Sequence, residues 1–291
     1  MGFTIVISRY NEDLEWLKEP RFNNNKVICY NKGTNDEFYK HPNMEIFTLP
    51  NVGMCNHTYL YHIIKNYDNL DDLTLFTSGS CMDSHKITVA NETIAKMIAT
   101  NDSVFCILRM KDVKNNLYNF TMGVHRVGSS ANNPQNSFYE LAPCTIRPFG
   151  KFYETYFGNI VTTGVNYFSI FGVSKKHILN TPKKLYEDII KHVNEHTHTE
   201  AAHYLERLSL ALFDPIPEKC LLYRKYDNGT WKWVVYSELT NPIVIDDFTR
   251  RCIKNNTGDI SEYDIDGAYF RNGGNVIDTL KELLNYKEAI T

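Results

Sequence analysis

Four tracts of this chain gather hydroxyl, amide and charged side chains just past short apolar runs. They are Ser8-Arg9-Tyr10-Asn11, Asn31-Lys32-Gly33, Asn51-Val52-Gly53, and Ser78-Gly79-Ser80, which leads on to Asp83, Ser84 and His85. Polar groups on tight turns at strand ends are held rigidly, which suits them to grip a polar ligand. The same residues also serve as local structure: Asn11 and Asp13 as helix caps, Asn31-Lys32-Gly33 as a turn. Further on, His203 and Glu206 share one face of a helical pattern, beside the apolar stripe Leu205, Leu208 and Leu212. His192 and His196 have a spacing compatible with zinc but lack the glutamate of a His-Glu-x-x-His motif, and read as a solvated helix end. His57, just after Gly53, can face a ligand. No G-x-S-x-G elbow, G-x-x-x-x-G-K-S/T loop or G-x-G-x-x-G fingerprint occurs in the chain. Serine hydrolase, kinase, ATPase and dinucleotide oxidoreductase chemistry are thereby disfavoured.

The elements that must position these residues alternate between β and helical patterns, the mark of a parallel sheet covered by helices. Strands are predicted at Thr4 to Ser8, Val27 to Tyr30, Glu45 to Leu49, Leu73 to Thr77, Val104 to Leu108 and Tyr167 to Val173. A short helix is predicted from Glu12 to Lys18, another on the stripe Tyr59, Leu60, Ile63, Ile64 and Tyr67, and a third over 88–100. Thr181-Pro182 opens a helix, and the capping box Thr197-x-x-Glu200 opens the next. Gly128 to Ser137 reads as a loop, Cys220 to Tyr226 and Trp231 to Tyr236 as a hairpin about Asn228-Gly229, and 275–286 as a last helix. In open α/β sheets the carboxyl ends of the strands line the ligand crevice, so all four polar tracts are expected to converge there. The expected division is 1–214, an α/β domain that carries the four polar tracts, and 215–291, a hairpin-plus-helix extension packed on it.

Composition narrows the class. The 291 residues carry 31 Lys and Arg against 34 Asp and Glu, a formal net charge of -3, so there is no basic excess for a phosphate backbone and nucleic acid is not an expected partner. The 7 cysteines are scattered and form no C-x-x-C pair, which predicts free thiols in a reducing compartment. No signal-peptide core or spanning segment is read, so a cytoplasmic location is expected, with no transmembrane partner.

The opening Val6-Ile-Ser-Arg-Tyr-Asn-Glu-Asp, the Asn31-Lys-Gly33 turn, Leu49-Pro-Asn-Val-Gly53 leading into Thr58-Tyr-Leu-Tyr-His-Ile-Ile64, and Leu75-Phe-Thr-Ser-Gly79 resemble, in that order, the nucleotide half of GT-A glycosyltransferases. More closely, they resemble an uncharacterised glycosyltransferase-like family of bacteria, fungi and large DNA viruses. That likeness continues through Phe171 to Leu179, Leu185-Tyr-Glu187 and Leu205-Glu-Arg207, over about residues 3 to 213. The Asn-rich composition suits a viral member, whose location would be host cytoplasm or virion.

The resemblance implies a GT-A-like, Rossmann-type sheet and transfer of a hexosyl or pentosyl group from a nucleotide-sugar donor, UDP-linked, to a hydroxyl of a glycan or other small-molecule acceptor, with inversion. By it, Ser8, Arg9, Tyr10, Asn11, Asn31, Lys32, Asn51, Gly53, His57, Ser78, Gly79, Ser80 and Arg207 bind substrate. Glu206, with Glu200 as runner-up, is the general base. The family pattern places a metal-binding Asp-x-Asp where this chain has Ser78-Gly79-Ser80. Either Asp83 and His85 hold Mn2+ or Mg2+ instead, or a cation among Arg9, Lys32, Arg147 and Arg207 takes over. The missing Asp-x-Asp keeps open an inactive nucleotide-sugar- or glycan-binding protein, and the aromatic hairpin of Trp231, Trp233 and Tyr236 a virion-associated interaction protein that uses it for contacts.

Overall fold

The computed structural model describes residues 2–83, 86–110, 112–127, 137–158, 160–227 and 230–234. In chain order the elements are β1 (Thr4–Arg9), β2 (Lys26–Asn31), β3 (Met44–Thr48), α1 (Met54–Asn66), β4 (Leu73–Ser78), α2 (Ile87–Thr100), β5 (Val104–Arg109) and the short α3 (Val113–Asn116). They continue with β6 (Val124–Val127), β7 (Ser137–Glu140), α4 (Phe149–Phe157), β8 (Gly164–Val165), β9 (Phe171–Ser174), α5 (Lys175–Ile178), α6 (Lys183–Ile189), α7 (Glu200–Leu212), β10 (Leu221–Asp227) and β11 (Thr230–Val234).

The main sheet has the order β11-β10-β5-β9-β4-β1-β2-β3, with β8 also paired to β5. Strands β3, β2, β1 and β4 run parallel, β9 lies antiparallel between β4 and β5, and β10 is parallel to β5. This is the expected mixed α/β architecture, a mostly parallel sheet flanked by helices. The two-residue period of each strand divides the apolar side chains between the faces. Val6, Phe76, Phe105, Ile107 and Phe171 pack with Tyr59, Leu60 and Ile63 of α1 and with Leu205 and Leu208 of α7. Ile5, Ile7, Leu75, Val104 and Cys106 pack on the other face with Val89, Ala90, Ile94 and Met97 of α2. Burial on both faces explains why these strands read as nearly continuous apolar runs. The chain moves outward from β1 through β2 to β3, then crosses back to place β4 on the other side of β1. The topological switch point therefore lies between the carboxyl ends of β1 and β4, where open sheets of this kind bind ligands.

Several local expectations are corrected. Glu12 to Lys18 yields only a 3-10 turn, Glu15–Lys18. Thr199, not Thr197, caps α7 by accepting from the N–H of Ala202 (3.1 Å), while the Thr197 hydroxyl donates to the Asn51 carbonyl (2.6 Å). The Thr181 hydroxyl likewise donates to Leu212 O (2.6 Å) instead of capping α6. Helix α4 was not foreseen. The β10–β11 hairpin extends the main sheet. Most of the Gly128 to Ser137 tract and the helix expected over 275–286 lie outside the described residues. Cys29, Cys81, Cys106, Cys144 and Cys220 are buried free thiols and Cys55 is a half-buried one. No helix among the described residues is long and apolar enough to cross a membrane.

Candidate functional site

The carboxyl ends of β1 and β2 are closed by their own side chains. Arg9 is fully buried: its Nε donates to Glu12 O (2.7 Å), and its Nη1 to Asn31 Oδ1 (2.7 Å) and Asn35 O (2.6 Å). The guanidinium lies 3.9 Å from the centroid of the Phe38 ring. Asn31 is occupied in turn, its Nδ2 donating to Asp36 Oδ1 (3.0 Å). Gly33 makes this closure possible, since a Cβ there would stand 1.8 Å from Tyr10 O. Lys32 is buried and its ammonium donates to the carbonyls of Val52 (2.5 Å) and Met54. Burial pushes its pKa down to about 8. Arg9, Asn31 and Lys32, expected to bind substrate, thus hold together the loops around the site, while Tyr10 and Asn11 remain exposed.

The loop before α1 is also fixed internally. Gly53 has φ 59, and a Cβ there would meet Val193 O at 2.1 Å, so glycine is required. Its N–H donates to His196 O (2.8 Å), and Asn51 receives Thr197 as above. His57 is buried, and burial, with Lys32 nearby, lowers its pKa to about 4, leaving a neutral ring at pH 7.

At the switch point the ends of β1 and β4 are tied to each other and to α1. Ser8 Oγ and Thr58 Oγ1 of α1 are 2.9 Å apart, and Gly79 N donates to Ser8 O (2.9 Å), drawing the end of β4 against β1. Gly79 also admits Glu12, whose carboxylate would stand 2.8 Å from an added Cβ. Glu12 Oε2 accepts from the N–H groups of Tyr10 (2.7 Å) and Asn11 (3.1 Å). Ser78 and Ser80 are half-buried, and the chain turns back after them to lay the Lys86 ammonium on both hydroxyls, 2.8 Å from Ser80 Oγ and 3.4 Å from Ser78 Oγ.

Helix α7 carries Glu206. Glu206 keeps 21% side-chain exposure, accepts from Ser169 Oγ (3.2 Å), and has His203 Nδ1 at 3.5 Å and Arg207 Nη1 at 3.9 Å. Burial works to raise its pKa, but the hydrogen bond and charge of His203, with Arg207 and His125, hold it below the usual carboxylate range. Glu206 is therefore ionised at neutral pH. Burial first, then His203, keeps the nearby His125 ring neutral with a pKa of about 4. The Arg207 guanidinium stacks over Phe120 (4.2 Å) and Tyr167 (5.2 Å) and donates to His203 O (2.7 Å). Both groups come near α1: the half-buried Cys55 thiol is hydrogen-bonded to Ser169 and within electrostatic reach of Glu206, Lys86 and Lys32. Burial pushes that thiol's pKa up, so Cys55 is neutral and a poor nucleophile.

Glu200 stands elsewhere. It is fully buried and accepts from Met122 N (2.8 Å), Cys144 N (2.8 Å) and Arg147 Nε (2.9 Å), a structural role that leaves no oxygen for an acceptor's proton. His192 hydrogen-bonds Tyr156 (2.6 Å) and Thr145 (3.2 Å). His85 lies outside the described residues, and among the described ones no group of three His, Cys, Asp or Glu side chains comes together to hold a metal ion. At the end of β4 the hydroxyls of Ser78 and Ser80 already face an ammonium instead of standing free as metal ligands.

Lys86 was missed by sequence reasoning. The available signal was a lysine just ahead of a helix whose first turn carries no acid, following Ser-Gly-Ser. Ser169 and His203 were also unforeseen as partners of Glu206 in a common site, although the spacing of His203 and Glu206 was noted. No curated protein matches this chain. A family model described as a protein of unknown function (DUF3431) matches residues 5–225, and the chain belongs to that family.

Proposed function

We propose that this protein is a glycosyltransferase of GT-A type that moves a sugar from a nucleotide-sugar donor to a hydroxyl acceptor with inversion. One observation carries the reading: a cation-and-hydroxyl group at the β1/β4 switch point, Ser78, Ser80 and Lys86, and an ionised carboxylate, Glu206, both come within electrostatic reach of Cys55. The first suits a departing diphosphate and the second an incoming hydroxyl. In a single displacement the acceptor oxygen attacks the anomeric carbon as the carbon–oxygen bond to the diphosphate breaks. The proton of the acceptor passes to Glu206, and the leaving group takes the bonding electron pair. The hydrogen bond from Ser169 orients the Glu206 carboxylate, and its lowered pKa keeps it unprotonated though it weakens it as a base.

The experiment is a melting screen with UDP-, GDP- and CDP-linked sugars, followed by measurement of released nucleotide with simple sugars as acceptors. A ligand that binds only the native state raises the melting temperature. One donor class is expected to do so and to be consumed. Glu206→Gln should bind that donor unchanged and turn it over about 10²–10⁴-fold more slowly. Binding without turnover in the unaltered protein would favour the inactive sugar-nucleotide-binding reading. No melting shift with any nucleotide would overturn both.

A further inference from the structure

We infer that Lys86, seated on Ser78 and Ser80, is a built-in cation for a diphosphate, standing where a divalent metal would otherwise be needed. This deepens the glycosyltransferase reading and names the group that the β4 end would take. The ammonium has three donor hydrogens, and the serine hydroxyls it touches at 2.8 and 3.4 Å can turn their own hydrogens outward, so the trio presents a convergent set of donors. Among the described residues Lys86 has no carboxylate within ion-pair distance. Glu12, beyond Gly79, is turned onto the N–H groups of Tyr10 and Asn11, and Asp83 meets Lys86 through its backbone carbonyl (2.8 Å). The positive charge also sits at the amino end of α2, whose first turn carries no acid, so the helix dipole opposes it and a bound anion relieves both. The position is the topological switch point. The same ammonium repels a dication from the serine oxygens. Lys32, the other cation near Cys55, is already bound to the Val52 and Met54 carbonyls, which leaves Lys86 for the ligand.

Calorimetric titration of the full chain with inorganic pyrophosphate and with UDP, GDP, ADP and CDP, each in EDTA and in Mn2+, tests this. At least one diphosphate is expected to bind in EDTA, with affinity changed less than about twofold by Mn2+. Lys86→Met should weaken it at least about tenfold, the size of a lost charge-assisted contact. Lys86→Arg should retain most of the affinity, which separates loss of charge from misfolding, and Asp83→Asn should bind as the unaltered protein does. Binding that requires Mn2+, or survives Lys86→Met undiminished, overturns the inference while leaving a glycosyltransferase possible. Pyrophosphate binding through Lys86 with no nucleoside diphosphate bound would uphold the anion site and sink the glycosyltransferase reading. No binding of any probe would sink both.

Discussion

Glu200, in the first turn of α7, is wholly buried and receives two backbone N–H groups and the Arg147 guanidinium, whereas Glu206 on the same helix keeps 21% exposure and is held by side chains, the Ser169 hydroxyl at 3.2 Å and His203 at 3.5 Å. The sheet repeats the contrast. Arg9, at the end of β1, is buried under Phe38 with carbonyl and amide acceptors around it, while Lys86, beside the end of β4, is half-buried on two serines. Residue type and position at a strand or helix end are therefore poor guides to which polar group meets a ligand. Engagement with groups of the fold itself is the better one. Glu200 and Arg9 hold the fold together, and Glu206 and Lys86 remain free to act on something else.

The sharpest way to break that contrast is to remove the wholly buried carboxylate. Glu200→Ala leaves two buried N–H groups and a guanidinium without their acceptor, and should lower stability by about 3–5 kcal/mol in urea denaturation at neutral pH. A loss below about 1 kcal/mol would mean that Glu200 is not the structural member of the pair. Next in size is Gly33→Ala, which drives a methyl group into the Tyr10 carbonyl and forces apart the loops that Arg9 ties; about 2–3 kcal/mol is expected. The same denaturation series measures it, and a neutral result would show that the closed end of β1 and β2 yields easily.

Asp102 extends the contrast to the amino edge of the sheet. Burial opposes its ionisation, but hydrogen bonds from Lys176 and Lys219 and from the Ser103 N–H prevail and hold its pKa at about 2. Its folded value lies below the unfolded one near 3.9, so its contribution is present above about pH 4 and is lost as the pH falls toward 2. Both lysines are exposed and screened, which reduces the expected contribution to about 1–2 kcal/mol. Asp102→Asn should accordingly flatten the stability profile between pH 4 and 2, and an unchanged profile there would remove Asp102 from the engaged class.

Much of the sheet was legible because burial on both faces leaves unbroken apolar runs, as in Thr4 to Ser8 and Leu73 to Thr77, and because α1 carries a single clear stripe. Helix α4 was not, since its Phe149, Phe152, Tyr153 and Phe157 lie in an aromatic stretch with Gly150, where helix propensity is weak and packing on Tyr204 decides the conformation. The cap of α7 was misplaced by one candidate threonine, because Thr197 and Thr199 compete for it and only the distant Asn51 carbonyl draws Thr197 away. At the site, the sequence singled out Ser78, Ser80 and Glu206. It also offered Arg9, Asn31 and Glu200, whose engagement within the fold depends on partners elsewhere in the chain: Phe38, Asp36, Met122 and Cys144. Lys86 escaped notice for the same reason in reverse, since only the turn after Ser80 brings it back onto the serines.

The smallest expected effect tests the open half most finely. Glu206→Gln keeps the shape and an acceptor for the Ser169 hydroxyl, and Arg207 retains its bond to the His203 carbonyl and its stacking over Phe120 and Tyr167. What disappears is the attraction of the carboxylate to His203 and Arg207, at 3.5 and 3.9 Å, so stability at pH 7 should fall by less than about 1 kcal/mol. Because the folded state holds this carboxyl below the usual range, that small contribution exists above the ordinary carboxylate pKa and vanishes as the pH drops through the folded value. Denaturation of the variant and the unaltered protein at neutral pH and near pH 3 measures it, with the two curves expected to converge in acid. A loss at neutral pH as large as that of Glu200→Ala would place Glu206 among the structural carboxylates and remove the ground for treating it as the base. A small loss that shrinks in acid, with turnover abolished, would locate its function in the ligand and not in the fold.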